Sequence, residues 1–124
     1  MILAVDGYEL VKPVGGVGRV TESLLTAVAA ILSEHEFRIF TREKYGGFPY
    51  PNVQEERIGP DRGYFWWQNG PFRKKLQALK PDLLFAPNYW LPLFYRGKSV
   101  IILHDISFVA HPDWFSRKQA FKAK

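Results

Sequence analysis

Lys12-Pro13-Val14-Gly15-Gly16-Val17-Gly18-Arg19 separates a short apolar run, Ile2-Leu3-Ala4-Val5, from a helical pattern that continues to about Ser33. Glycines therefore meet the start of a helix just downstream of a first strand. Glycine lets a backbone turn tightly and lets a ligand approach it closely. A helix N-terminus presents unpaired N–H groups and a partial positive charge, which attract anions. Taken alone, the loop fits a phosphate-bearing ligand and a plain strand-to-helix turn equally well. Beyond it, Val20, Leu24, Leu25, Val28, Ile31 and Leu32 recur at three- and four-residue spacing, one apolar stripe along a helix, with alanines at 27, 29 and 30 allowing close packing onto a sheet. Phe37-Arg38-Ile39-Phe40-Thr41 then reads as a second strand, completing one βαβ unit.

Further along, Gly46-Gly47, Pro49, Pro51, Gly59-Pro60 and Gly63 mark a loop-rich stretch from Glu43 to Gly63, with a short strand expected near Val53 to Ile58. The aromatic run Tyr64-Phe65-Trp66-Trp67 follows. It suits core packing, a ligand platform, or a membrane-facing patch beside Arg73-Lys74-Lys75, and core packing is favoured because exposed aromatics lower solubility. Phe72 to Lys80 reads as a helix with Leu76 and Leu79 inward, ended by Pro81. Asp82 to Asn88 reads as a strand stopped by Pro87, and Ser99 to Leu103 as another buried strand closed by His104-Asp105. Uniformly apolar strands alternating with helices predict an α/β fold, a Rossmann-like parallel sheet with flanking helices. Ser116 is a plausible N-cap for a helix over the last residues, so the chain reads as a fragment of something longer.

The 124 residues suffice for one small domain, and 47% hydrophobic content supports a packed core. No cysteine is present, which excludes disulfides, thiolate metal sites and thiol nucleophiles and fits a cytoplasmic setting. Met1 to Asp6 has no basic leader region and reads as a strand, not a signal peptide. No apolar run approaches the ~20 residues of a membrane span. Seventeen Lys and Arg against twelve Asp and Glu give a net charge of +5, but the charges are dispersed and no helix carries a continuous basic face. Nucleic acid is therefore not an expected partner.

Parallel sheets bind ligands outside the C-terminal ends of their strands. That rim should collect Gly15, Gly16 and Gly18 after the first strand, Asn88 and Tyr89 after the Leu83 strand, and His104 and Asp105 after the Val100 strand. His104 follows four apolar residues and is expected at the mouth of the core, where an imidazole exchanges hydrogen bonds near neutral pH. The plain alternative is a buried histidine tied to a backbone carbonyl, with Asp105 capping the next turn. His35 and His111 lack such a setting and read as structural or exposed. Other chemistries fail on spacing. Thr21 stands where a dinucleotide fingerprint needs its third glycine, and the glycine loop continues as Gly18-Arg19-Val20 and does not end in the Gly-Lys-Ser/Thr of a phosphate loop. No histidine–carboxylate spacing suits a metal, and no Gly-x-Ser-x-Gly elbow is present.

Three segments together resemble family-4 (group 1) glycosyltransferases of the GT-B fold, in the bacterial mannosyltransferase-like branch. Gly15-Gly16-Val17-Gly18-Arg19 followed by Glu22-Ser23-Leu24-Leu25 resembles that family's first loop and helix. Pro81-Asp82-Leu83-Leu84-Phe85-Ala86-Pro87-Asn88-Tyr89 is similar to its proline-aspartate strand and proline-asparagine end. Val100 to Phe108, with His111-Pro112-Asp113-Trp114-Phe115, is similar to its histidine-aspartate segment, and Trp67-Gln68 fits as well. The matches run in family order over nearly the whole chain.

The resemblance implies the N-terminal half of a GT-B fold, with residues 1–124 a partial acceptor-side domain and the nucleotide-sugar-binding C-terminal domain absent. It implies retaining transfer of a sugar from a nucleotide-diphosphate donor to a saccharide or lipid-linked acceptor, with no metal and no cofactor besides the donor substrate. By carry-over, His104 sits beside the transferred sugar, Gly15 and Gly16 present N–H groups to the diphosphate, and Arg19, Asn88, Tyr89 and Asp105 shape the cleft. The paired Glu-x7-Glu glutamates of the family's other half do not occur here, so this chain alone is expected to be inactive. A non-catalytic α/β binding or interaction module is the alternative reading. Peripheral membrane contact through Trp66, Trp67 and the basic cluster is compatible with either.

Overall fold

The computed structural model describes residues 1–105, 107–111 and 113. The helix expected from Ser116 and the Trp114-Phe115 end of the histidine-aspartate segment lie outside the described residues. Five strands form one sheet: β1 (Ile2–Asp6), β2 (Glu36–Thr41), β3 (Val53–Arg57), β4 (Leu83–Ala86) and β5 (Ser99–Ile101). Their order is β3-β2-β1-β4-β5, and every neighbouring pair is parallel. The α/β reading with a Rossmann-like parallel sheet and flanking helices therefore holds. β1 lies at the centre, which explains why its residues are apolar on both faces.

The two faces carry two cores, and strand alternation sorts residues between them. Leu3, Val5, Phe37 and Ile39 face α1 (Gly16–Ile31), where they pack with Leu10, Leu25 and Ala29. Ala4, Phe40 and Leu84 face the other way, onto Trp67, Phe72 and Leu76. The loop between β2 and β3 folds back onto the α1 side through Tyr45, Phe48 and Tyr50. Glu55 holds that loop by accepting the N–H groups of Tyr45 and Gly46 at 2.5 and 2.7 Å. The Asn52 amide, 3.1 to 3.2 Å from the carbonyls of Ala29, Leu32 and His35, closes the otherwise unpaired end of α1.

The expected stripe on α1 is only partly the buried one. Gly18, Thr21, Leu25 and Ala29 are buried, whereas Val20 and Leu24 are 40% exposed and Ile31 76%. The small residues win because they let the helix approach closely. A Cβ on Gly18 would stand 2.4 Å from the Glu9 carbonyl oxygen and 2.8 Å from Val14 Cγ1. Leu24 instead borders an entirely apolar cavity of about 300 Å³ under α1, with Val28, Leu83, Phe85 and Val100.

Residues Tyr64–Leu79 form one helical run, longer than the expected Phe72–Lys80. It comprises α2 (Tyr64–Trp67), a π-helical turn (Gln68–Phe72) and α3 (Arg73–Leu79). Pro71 lies inside the π turn. Proline lacks an N–H and crowds the preceding turn, and the wider π turn accommodates both defects. Lys80, in a left-handed conformation ahead of Pro81, ends the run as expected, with its N–H 2.9 Å from the Leu76 carbonyl. β5 is shorter and more open than expected. Ser99, Val100 and Ile101 are all exposed, because β5 is an edge strand among the described residues. The short helix α4 (Ser107–Ala110) follows it.

Candidate functional site

The strand order reverses between β1 and β4. From β1 the chain moves outward to β2 and β3, and from β4 it moves the opposite way to β5. In open parallel sheets, ligand crevices form outside the strand C-termini at such a reversal. Asp6, Gly7 and Tyr8 leave β1 there. Pro87, Asn88 and Tyr89 leave β4 beside them, since Val5 pairs with Phe85. His104 reaches the same rim from β5. Ile102 N–H donates to the Ala86 carbonyl at 3.3 Å, prolonging the β4–β5 pairing toward it.

His104 is exposed, not held at the mouth of the core as expected, because β5 is an edge strand. Its Nε2 stands 2.6 Å from the Pro87 carbonyl oxygen, and its ring meets the Tyr89 ring edge-on at 6.1 Å. A carbonyl only accepts, so Nε2 carries the proton and Nδ1 is the nitrogen left to accept from a ligand hydroxyl. The carbonyl tie of the plain alternative is thus present, and it also sets the tautomer. Asp105 accepts the Ser107 N–H at 2.7 Å, which starts α4, and the Ser107 hydroxyl first and this N–H second hold its carboxyl below the usual range. That is the capping role.

Gly15 is the N-cap of α1, and no side chain caps the helix. The N–H groups of its first turn therefore have no partner within the helix. A Cβ on Gly15 or Gly16 would meet nothing within 4 Å, so packing within the chain does not demand glycine at either position. Both present open backbone to solvent. Arg19 is exposed, and its Nε donates to the Val14 carbonyl at 3.3 Å, which ties it to its own loop. The structure brings His104 and Tyr89 together.

Sequence reasoning missed the most buried polar cluster on this rim. Asp6 is 1% exposed. Its Oδ1 accepts the Tyr8 N–H at 3.1 Å and its Oδ2 the Tyr64 hydroxyl at 2.8 Å. The Gln68 amide donates to the Tyr64 oxygen at 2.7 Å and to the Trp90 carbonyl at 2.9 Å. The Asn88 side chain lies close enough to the Tyr64 hydroxyl to act on it. Burial raises the Asp6 carboxyl to about 6, against the lowering effect of these hydrogen bonds. Burial, then the Asp6 charge, pushes the Tyr64 hydroxyl far up. The available signal was a carboxylate placed directly after the most apolar strand, at the C-terminal end where ligands bind.

The raised carboxyl has a testable consequence. A folded value of about 6 against an ordinary 3.8 means the native state holds a proton that the unfolded chain has released. The stability this proton contributes is complete below pH ~4 and disappears as pH rises through ~6, a loss of roughly 3 kcal/mol. Asp6→Asn keeps an acceptor for the Tyr8 N–H but cannot titrate. Urea unfolding between pH ~4 and ~7 should show this decline in the wild type and not in the variant. Identical slopes would remove the assignment.

A second cluster closes the rim past β2 and β3. Asp61 accepts from Arg42 Nη1 at 2.6 Å, from the Tyr8 hydroxyl at 2.8 Å and from the Gly63 N–H at 2.9 Å. Arg42 also lies over the Tyr8 ring, 4.5 Å from its centroid. Asp61 is held down to about 2, chiefly by Arg42, and burial pushes Tyr8 up to about 12. These groups satisfy one another and act as a clamp. His35 immediately precedes β2, at the opposite end of the sheet from the rim.

Among the described residues, no three histidine or acidic side chains gather as metal ligands, and no helix is long and apolar enough to cross a membrane. No family model, curated protein or solved structure matches the chain.

Proposed function

We propose that this chain is the acceptor-side wall of the cleft in a retaining GT-B glycosyltransferase that works in the cytoplasm on a nucleotide-diphosphate sugar. The observation that carries the reading is the reversal of strand order between β1 and β4, with the glycine-loop helix, Asn88-Tyr89 and His104 all on the C-terminal side of that crevice. The uncapped first turn of α1 suits a diphosphate, whose negative charge it stabilises. His104, anchored through Nε2, accepts a sugar hydroxyl at Nδ1 and orients the reacting carbon. The Tyr89 ring beside it offers a sugar an apolar face. The buried Asp6-Tyr64-Gln68 network lies next to Asn88. The remaining contacts to the donor come from the second domain that the family pattern supplies.

The test is a titration of the isotope-labelled 124-residue chain with UDP- and GDP-sugars. Amide shifts confined to Gly16, Val17 and Gly18, with a response of the His104 ring and no turnover, are the expected result. No response at these positions at millimolar ligand would favour the binding-module reading. Turnover by this chain alone would overturn the half-cleft assignment.

A further inference from the structure

Phe65 and Trp66 are 59% and 68% exposed on the helical run, while the next residue, Trp67, is fully buried. The loop after β4 lays three more exposed apolar side chains beside them: Trp90 at 51%, Leu93 at 49% and Phe94 at 81%. The two segments are fastened together. Asn69 Oδ1 accepts the Leu93 N–H at 2.7 Å, and the Gln68 amide donates to the Trp90 carbonyl. Between them runs a groove of about 340 Å³ bordered by Phe65, Trp90 and Leu93. A contiguous apolar surface of this kind marks a site of interaction.

Two further observations define what the surface meets. Phe94 has a φ of +62°, a left-handed conformation that is costly for a bulky aromatic residue. That backbone accompanies an almost fully exposed ring, so packing within the chain does not repay the strain. The rim beside it is cationic. The Arg73 guanidinium lies 5.8 Å from the Phe94 ring centroid, and Arg73 and Arg96 border an adjoining cavity of about 160 Å³. Among the described residues, no carboxylate borders either hollow. Lys75, from the basic run read in the sequence, turns away to pair with Glu56.

We propose that Phe65, Trp66, Trp90, Leu93 and Phe94, with Arg73 and Arg96 on their flank, form a docking surface for an anionic lipid bilayer. Aromatic side chains settle at the boundary between headgroups and acyl chains, and guanidinium groups pair with lipid phosphates. The complementarity is with a negatively charged, chemically uniform surface, which a row of separate projecting rings flanked only by cations fits. The assignment is independent of the glycosyl-transfer reading. It replaces Trp67, which is buried, and Lys75, which is paired with Glu56, as contact groups.

The experiment is vesicle flotation of the 124-residue chain. Vesicles of phosphatidylcholine mixed with phosphatidylglycerol in equal parts should carry the chain at low salt, and phosphatidylcholine alone should carry it weakly. Trp66→Ala with Phe94→Ala should lower the bound fraction about ten-fold with an unchanged unfolding transition, since both side chains are exposed. Arg73→Gln with Arg96→Gln should abolish the preference for phosphatidylglycerol and its salt sensitivity. No flotation of the wild type, or flotation that the aromatic pair of substitutions leaves unchanged, overturns the proposal. A dimer that sediments through this surface, with no vesicle binding, overturns it as well and assigns the patch to a second copy of the chain.

Discussion

Trp67→Ala is expected to destabilise the chain by about 3–5 kcal/mol, while Trp66→Ala leaves stability within about 0.5 kcal/mol. The two tryptophans adjoin in sequence and differ entirely in environment. Trp67 is 0% exposed, stacks on Phe72 at 4.9 Å between ring centroids, and meets Tyr8 at 5.3 Å. Its indole N–H donates to the Ile58 carbonyl at 3.0 Å, so truncation empties a cavity and strips that carbonyl of its partner. Trp66 is 68% exposed and touches Phe65 edge-on at 6.1 Å. Domains of this size have total stabilities of about 5–15 kcal/mol, so the Trp67 variant should lose much of its margin. Urea midpoints at constant m-value measure the difference. Equal effects of the two substitutions would mean that the helical run is rotated from the position described here.

On the glycosyltransferase reading proposed above, in which a donor-binding domain completes the cleft and His104 orients the transferred sugar through Nδ1, His104→Ala should reduce turnover of the complete enzyme about 100-fold or more. Its cost in stability should stay near 1 kcal/mol, because the imidazole is exposed and makes one hydrogen bond, to the Pro87 carbonyl. A role in folding would move the unfolding transition and spare turnover per folded molecule. A role in the cleft would do the reverse. Turnover equal to wild type would exclude His104 from the reaction.

The βαβ start, the β4 strand and the end of α3 before Pro81 were legible because each rests on local information. Apolar runs, a three-to-four residue periodicity and glycine and proline punctuation act within about ten residues. The same information identified the strand ends that make up the rim, since parallel strands put their C-termini on one side. It misjudged cases where the outcome depends on what lies opposite. Val20, Leu24 and Ile31 fit the helical stripe, but close contact went to Gly18 and Thr21 as well as to Leu25 and the small Ala29 that was expected there. Val100 and Ile101 match a buried strand in composition, but their place at the sheet edge leaves them open.

The rim's chemistry shows the same division. Asp6 is an ordinary carboxylate by sequence. Its raised value comes from burial, which outweighs the lowering effect of hydrogen bonds from Tyr64 and Gln68, 58 and 62 residues away. His104 acquires its tautomer from Pro87, 17 residues earlier. By itself, then, the sequence determined the α/β class, the glycine-loop helix start and the set of polar residues that end each strand. Only the tertiary structure decided the order β3-β2-β1-β4-β5, and with it the crevice between β1 and β4. It also decided which of two adjacent tryptophans is core and that a hidden carboxylate stands under the rim. The physical reason is range. Hydrogen-bonding and apolar periodicity act between neighbours along the chain, whereas strand order, burial and a carboxylate's desolvation are set by segments that meet only in space.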